Sequence, residues 1–294
     1  MKKALIYLHI AVFLAGFTGV LGRLISLNES LLVWYRLLFT SLSLSVLFLW
    51  QRPFPVISAA GLLKIFGVGA IVALHWVTFY GSIKYANVSV ALVCFSTLGF
   101  FSAVLEPLIR RKKISAAEVL LGLVTVLGVY LIFHFDARYK IGIGFGIVSA
   151  VLASLFTVLN KNLLNHYPPR TVTFYELTGG FVVLSFILPF YLRASHVPFS
   201  LPQGWDWPWL LVLSLLCTVL AFYLSLSALK TVSPFTVNLS YNLEPVYGII
   251  LAFLIYKENK NLHNSFYAGL LLIFTAVLIQ MWRVYKTSRG TAGP

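Results

Sequence analysis

Apolar residues run along this chain in blocks of about 20, the length that crosses the hydrocarbon core of a bilayer as an α-helix. Ten such blocks stand out: 4–27, 30–50, 60–83, 86–109, 115–134, 141–163, 171–192, 208–229, 232–256 and 264–283. The connections are short and carry helix breakers, as in Arg52-Pro53-Phe54-Pro55, Tyr167-Pro168-Pro169 and the stretch from Pro198 to Pro208. The longest, about 193–207, holds Trp205 and Trp207, side chains that suit a membrane–water interface. Lys2 and Lys3 ahead of the first block give it the look of a signal peptide, but the block is too long for one and nine more follow. The pattern predicts an all-α integral membrane protein of ten transmembrane helices, with no separate soluble domain.

Composition points the same way. Hydrophobic residues make up 60% of the 294, and the mean hydropathy is +0.90. Charged residues make up 10%, against roughly 25% in an ordinary soluble domain. One water-soluble core cannot hide that much apolar side chain and still present a polar surface. A soluble enzyme, a nucleic-acid binder and a disordered tail are thereby excluded. The 22 Lys and Arg outnumber the 8 Asp and Glu, for a formal charge of +14. In a membrane protein that excess marks loops at the cytoplasmic face. With the N-terminus and alternate loops on one side, fourteen Lys and Arg collect there, against six opposite. Both termini are therefore expected in the cytoplasm. Cys94 and Cys217 lie inside apolar blocks and form neither a disulfide framework nor a metal-spaced cluster.

The two halves resemble each other. Val33-Trp34-Tyr35-Arg36-Leu37 aligns with Thr173-Phe174-Tyr175-Glu176-Leu177, and Ser82-Ile83-Lys84 with Ala228-Leu229-Lys230. Leu14-Ala15 and Val20 to Arg23 correspond to Leu152-Ala153 and Val158 to Lys161. Five helices per half is an odd number, so the second half enters the membrane from the opposite face. The expected units are 1–138 and 139–294, inverted five-helix repeats of the kind that build secondary transporters around a midplane site.

With these anchors the chain resembles the EamA-like branch of the drug/metabolite transporter superfamily over its whole length. The residues that carry the resemblance are Arg36, the first span's Ala15-Gly16, Gly19 and Gly22, and Lys84 with Lys230. Asn242-Leu243-Glu244-Pro245 and Lys257-Glu258 add to it. The family pattern has a proline midway along the fourth and ninth spans and an acid just after each. The second half keeps Pro245 and Glu258; the first has Gly99 and Lys112 instead. The resemblance implies export or exchange of small metabolites, often amino acids, across a bacterial inner membrane. Other branches carry nucleotide-linked or phosphorylated sugars.

Ionisable groups cost about 2.5–3.5 kcal/mol at the centre of a membrane helix, which makes each a candidate for function. Glu244 lies about a dozen residues, or about 18 Å, into the ninth span, close to mid-bilayer. Pro245 removes a backbone donor beside it, and Asn238, Ser240, Tyr241 and Asn242 surround it with hydrogen-bonding groups. It is the leading candidate for substrate binding and for proton coupling, the alternative being a neutral carboxyl that ties two helices together. His75, beside Trp76 and a turn before Tyr80, is the second proton-coupling candidate, or else a hydrogen-bonding residue between helices. Arg36 and Glu176 hold equivalent repeat positions about 9 Å in from opposite faces, too far apart to pair. Each should face a vestibule or pair locally; for Arg36, snorkelling to the interface is the alternative. The substrate-binding set expected is thus Glu244, Tyr241, Asn242, Asn238, His75, Trp76, Tyr80, Arg36 and Glu176.

Other features have plainer explanations. Glu106 stands four residues before Arg110, and an ion pair at a helix end accounts for it. Gly142-Ile143-Gly144-Phe145-Gly146 lacks the strand and spacing of a phosphate loop and reads as a close-packing surface. The Arg110-Arg111-Lys112-Lys113 run can bind anionic membrane lipid, although setting topology suffices. The six histidines are scattered, which disfavours a membrane-embedded enzyme, and no cofactor, metal or nucleic acid is expected. The expected function is a carrier of small molecules, amino acids or related amphipathic compounds, with protons as a possible partner. The sequence leaves substrate, direction and oligomeric state open.

Overall fold

The computed structural model describes residues 2–50, 57–134, 139–261 and 264–290. Arg52 to Pro55, and Arg138 at the expected repeat boundary, lie outside the described residues. The first half comprises α1 (Lys2–Leu24), α2 (Glu29–Trp50), α3 (Ala59–Tyr85), α4 (Val88–Phe95), α5 (Leu98–Arg110) and α6 (Ala116–His134). The second comprises α7 (Lys140–Leu163), α8 (Pro169–Ala194), α9 (Asp206–Ser214), a π-helical turn (Leu215–Leu220), α10 (Ala221–Leu229), α11 (Pro234–Tyr241), α12 (Glu244–Tyr256) and α13 (Asn264–Gly290). α4 and α5 together make the fourth span, α9 to α10 the eighth, and α11 with α12 the ninth. These helices coincide with the ten apolar blocks, an all-α membrane bundle. Its outer surface is apolar, with Leu63, Phe186, Phe190 and Leu254 among its most exposed side chains.

Three spans depart from the continuous helices expected. The fourth breaks at Ser96–Thr97, where both hydroxyls donate to carbonyls three residues back, Ser96 to Val93 at 2.6 Å and Thr97 to Cys94 at 2.7 Å. Such local bonds compete with the helix ladder. No proline sits at this break. The ninth breaks at Asn242–Leu243, just before Pro245 in the first turn of α12. The eighth widens into the π turn.

The breaks expose the inverted symmetry in detail. α4 and α11 are each eight residues and α5 and α12 each thirteen. One constant offset maps Val88 onto Pro234, Leu98 onto Glu244 and Arg111 onto Lys257. Arg111 and Lys257 both end their helices in the left-handed conformation, at φ 52° and 54°. Asn87 caps α4 by accepting Val90 N–H at 2.8 Å, and its counterpart Ser233 caps α11 by accepting Thr236 N–H at 3.1 Å.

The halves interleave rather than sit side by side. α3 packs against α7 and α8 of the second half, and α1 against α10 and α12. α3 and α8 approach until backbones touch: a Cβ at Gly180 would come within 2.7 Å of the Gly69 carbonyl oxygen. α6 and α13 pair with each other at the flank.

Both ends of the bundle are latched. At the face opposite the chain's start, Arg23 pairs with Glu258 and Lys84 Nζ donates to Ile25 O at 2.6 Å. There too Ser26 gives its N–H and hydroxyl to Asp206 at 2.8 and 2.5 Å. Arg23 is therefore a residue of the last turn of α1. At the face where α1 begins, Lys161 Nζ donates to the carbonyls of Leu229, Lys230 and Val232 at 2.7, 3.0 and 2.8 Å. An apolar plug that includes Leu8, Ile65, Leu163, Val172 and Leu229 lies beside it.

Candidate functional site

Between the latches lies a cavity walled by both halves, with about 90 Å³ of space for the centres of water molecules. The first half contributes Ala15, Thr18, Arg36, His75, Trp76, Phe79, Phe95 and Leu98. The second contributes Phe156, Asn160, Cys217, Phe222, Ser225, Asn238, Tyr241 and Glu244, among others. Every lining residue is buried or half-buried.

Arg36 projects from α2 and is only 2% exposed. The π turn explains how a guanidinium rests there. Shifting the helix to i→i+5 bonding takes Cys217 O out of the α-helical ladder, and that oxygen accepts from Arg36 Nη2 at 3.3 Å. Thr218 donates its hydroxyl to Leu213 O at 2.7 Å and accepts Arg36 Nε at 2.7 Å. Nη1 donates to Tyr80 Oη at 2.8 Å, and the guanidinium stacks 3.8 Å from the Trp76 ring centroid. Three of five N–H groups are spent, which leaves one on each terminal nitrogen. Arg36 lines the cavity, so its guanidinium keeps donors for a carboxylate there.

Glu244 opens α12 at the break of the ninth span and is 4% exposed. The one hydroxyl proton of Thr18 serves either Ala15 O at 2.7 Å or Glu244 Oε1 at 3.4 Å. No ion pair joins Arg36 to Glu244 among the described residues. The cavity therefore holds one cation and one carboxyl that do not neutralise each other by contact. Aromatic rings fill the space around them. His75 sits 5.6 Å from Phe95 and 5.5 Å from Phe156 between ring centroids, its Nδ1 held at 2.9 Å from both the carbonyl and the hydroxyl of Ser149. Asn238 donates to Ser102, whose hydroxyl lies 3.1 Å from that of Ser154, a buried chain across α11, α5 and α7.

Of the expected residues, Glu244, Tyr241, Asn238, His75, Trp76 and Arg36 meet at this cavity. Three do not. Asn242 stands one residue into the break and turns away, towards Val93, Ser96 and Ile273. Tyr80 is fully buried behind Arg36 and supports it. Glu176 is fully buried against α7, bonded to Asn160. Sequence reasoning missed Phe79, Phe156 and Phe222, which carried no signal in a chain with 24 Phe, and Thr18 and Asn160, polar residues within apolar spans. Among the described residues no three His, Cys, Asp or Glu side chains gather as a metal-ligand set.

Comparison with known proteins extends the picture. The EamA-like transporter family matches residues 2–134 and again 140–282. The uncharacterized transporter YetK of Bacillus subtilis is 32% identical over 187 residues, 61% of this chain. An uncharacterized transporter of Synechocystis is 23% identical over 68% of this chain. These matches span 56% and 59% of the two relatives, a little over half of their length. One from Archaeoglobus fulgidus is 26% identical over 89% of this chain and 91% of its own. A crystal structure at 14% identity superposes with a TM-score of 0.67, covering 98% of this chain and 99% of that one, which shows a shared fold. The chain belongs to the EamA-like transporter family.

Proposed function

We propose that this protein is a secondary carrier of small zwitterionic metabolites, amino acids or related amphipathic compounds, working in export across the bacterial inner membrane. The observation that carries the reading is that Arg36 and Glu244 line one cavity without an ion pair between them. The Arg36 guanidinium suits a substrate carboxylate, Glu244 an ammonium, and the rings of Trp76, Phe79, Phe95 and Phe222 an apolar side chain. A phosphorylated or nucleotide-linked sugar asks for more than a single cation. Both termini lie in the cytoplasm, and the repeats 1–138 and 139–294 rock about the cavity to open it to each face in turn. Glu244 and His75 are the groups able to exchange a proton with the substrate site.

Counterflow of radiolabelled amino acids into proteoliposomes, with and without a pH gradient, tests this. Saturable exchange that the gradient drives uphill is the expected result. Silence across the panel from demonstrably folded protein would overturn the substrate class and redirect the search to phosphorylated compounds.

A further inference from the structure

The cavity has a neighbour that none of the foregoing uses. Glu176 on α8 is fully buried, about 10 Å along its helix from the face where the chain begins. Asn160 Nδ2 donates to its Oε1 at 2.9 Å. The other atoms of these same two planar groups, Glu176 Oε2 and Asn160 Oδ1, are both buried with no hydrogen-bond partner among the described residues. Both are acceptors. A single proton on Oε2 would turn that oxygen into the donor Asn160 Oδ1 lacks and close a two-bond ring between carboxylic acid and amide.

No cation competes for that role. Lys161, next to Asn160 on α7, is spent on the carbonyls at the ends of the eighth and ninth spans. On α2, Arg36 is held by Thr218, Tyr80 and Cys217, and on α3, His75 is held by Ser149. Lys64 of α3 and Arg170 of α8 lie at the exposed end of the bundle, and Glu176 forms no ion pair among the described residues. Tyr223 of the eighth span lies against Thr173 and Phe174 of α8, and Tyr175 stands next to Glu176 in the chain. An ionised carboxylate here would stand in the membrane with one hydrogen bond and no counter-charge, an arrangement of very high cost.

We propose that Glu176 is a proton-binding site, its carboxylic acid paired face to face with the Asn160 amide. The cavity meets this proton only through Asn160, which lines it, while Glu176 does not. The site is distinct from Glu244 and stands whatever the cavity carries. The Gly69 and Gly180 contact places the α3 backbone directly against the backbone of Glu176, and the Glu176 side chain is itself fully buried.

Infrared spectroscopy of the protein in lipid at neutral pH tests the proposal without any substrate. The carbonyl stretch of a protonated carboxylic acid should be present in the wild type, and Glu176→Gln should remove one such band. Glutamine offers the same donor and acceptor to Asn160, so the melting temperature of Glu176→Gln should stay at the wild-type value, which separates loss of the proton from loss of the fold. In Asn160→Ala the band should persist and move to the position of a less strongly hydrogen-bonded acid. A wild-type spectrum unchanged by Glu176→Gln, or a band indifferent to Asn160→Ala, would overturn it.

Discussion

Glu258 and Glu106 perform the same task at opposite faces of the bundle. Glu258 accepts the N–H groups of Val88 and Ser89 at 3.3 and 3.0 Å and the Ser89 hydroxyl at 2.6 Å, closing the start of α4. Glu106 accepts the N–H of Phe235 at 3.0 Å, closing the start of α11. Ser89 and Phe235 are related by the same offset that relates the two broken spans. Each broken span thus supplies the anion that caps the other's N-terminus, where the helix dipole and orphan N–H groups favour it. Glu258 follows its helix directly. In the first repeat Lys112 has that position, and the acid is displaced to Glu106, to which Lys112 donates at 3.1 Å.

Glu258→Ala is expected to strip α4 of its carboxylate and leave Arg23 without its partner. Losing charge-assisted bonds to buried N–H groups costs about 1–3 kcal/mol, read as a fall in melting temperature of the purified protein. On the other face, Glu106→Gln should destabilise similarly, and adding Lys112→Glu should recover part of the loss by restoring the arrangement of the second repeat. A double variant no more stable than the single one would show that the two caps are not interchangeable.

Arg36→Lys keeps the charge and loses the geometry. An ammonium cannot bond Thr218, Tyr80 and Cys217 at once, stack on Trp76 and still offer donors to a carboxylate. The half-saturation concentration in counterflow should rise about tenfold or more, equivalent to about 1.4 kcal/mol, with membrane insertion unaffected. Unchanged half-saturation would remove Arg36 from the binding site.

Glu244→Gln is isosteric and cannot ionise. It should insert and fold normally while losing uphill transport driven by a pH gradient. Wild-type flux under a gradient would take the coupling role away from this carboxyl.

The ten spans and the inverted repeat were legible because both depend on hydropathy and order along the chain, which the sequence carries directly. The breaks and the π turn were not. At Ser96–Thr97 two hydroxyls engage two carbonyls within an unbroken apolar run, so hydropathy does not register the event. The site was half legible for a related reason. Polarity in an apolar span singled out Arg36, His75 and Glu244, but the direction each side chain points depends on helix rotation. Asn242 and Tyr241 are neighbours in sequence and face different compartments, because the helix breaks between them and Glu244. Glu106 shows the converse: the ion pair with Arg110 exists at 3.6 Å, and the cap of α11 came only with the tertiary structure.

Two glycines on one helix separate close packing from helix propensity. Gly67 and Gly69 both lie in α3, two residues apart and so on different sides of it. A Cβ on Gly69 would come within 2.8 Å of Gly180 N and closer still to the Glu176 carbonyl oxygen, both backbone atoms that cannot rotate away. A Cβ on Gly67 would meet nothing within 4 Å. Gly69→Ala must push α8 outward and should cost about 1–3 kcal/mol, the range for overpacking a tight contact. Gly67→Ala removes a flexible residue from a helix interior and should stabilise by up to about 1 kcal/mol. Melting temperatures of the two variants should therefore move in opposite directions. Because Gly69 backs onto Glu176, its alanine variant should also disturb the bond from Asn160, visible as a shift in the carboxylic acid band. Equal effects of the two substitutions would mean that α3 and α8 do not meet backbone to backbone.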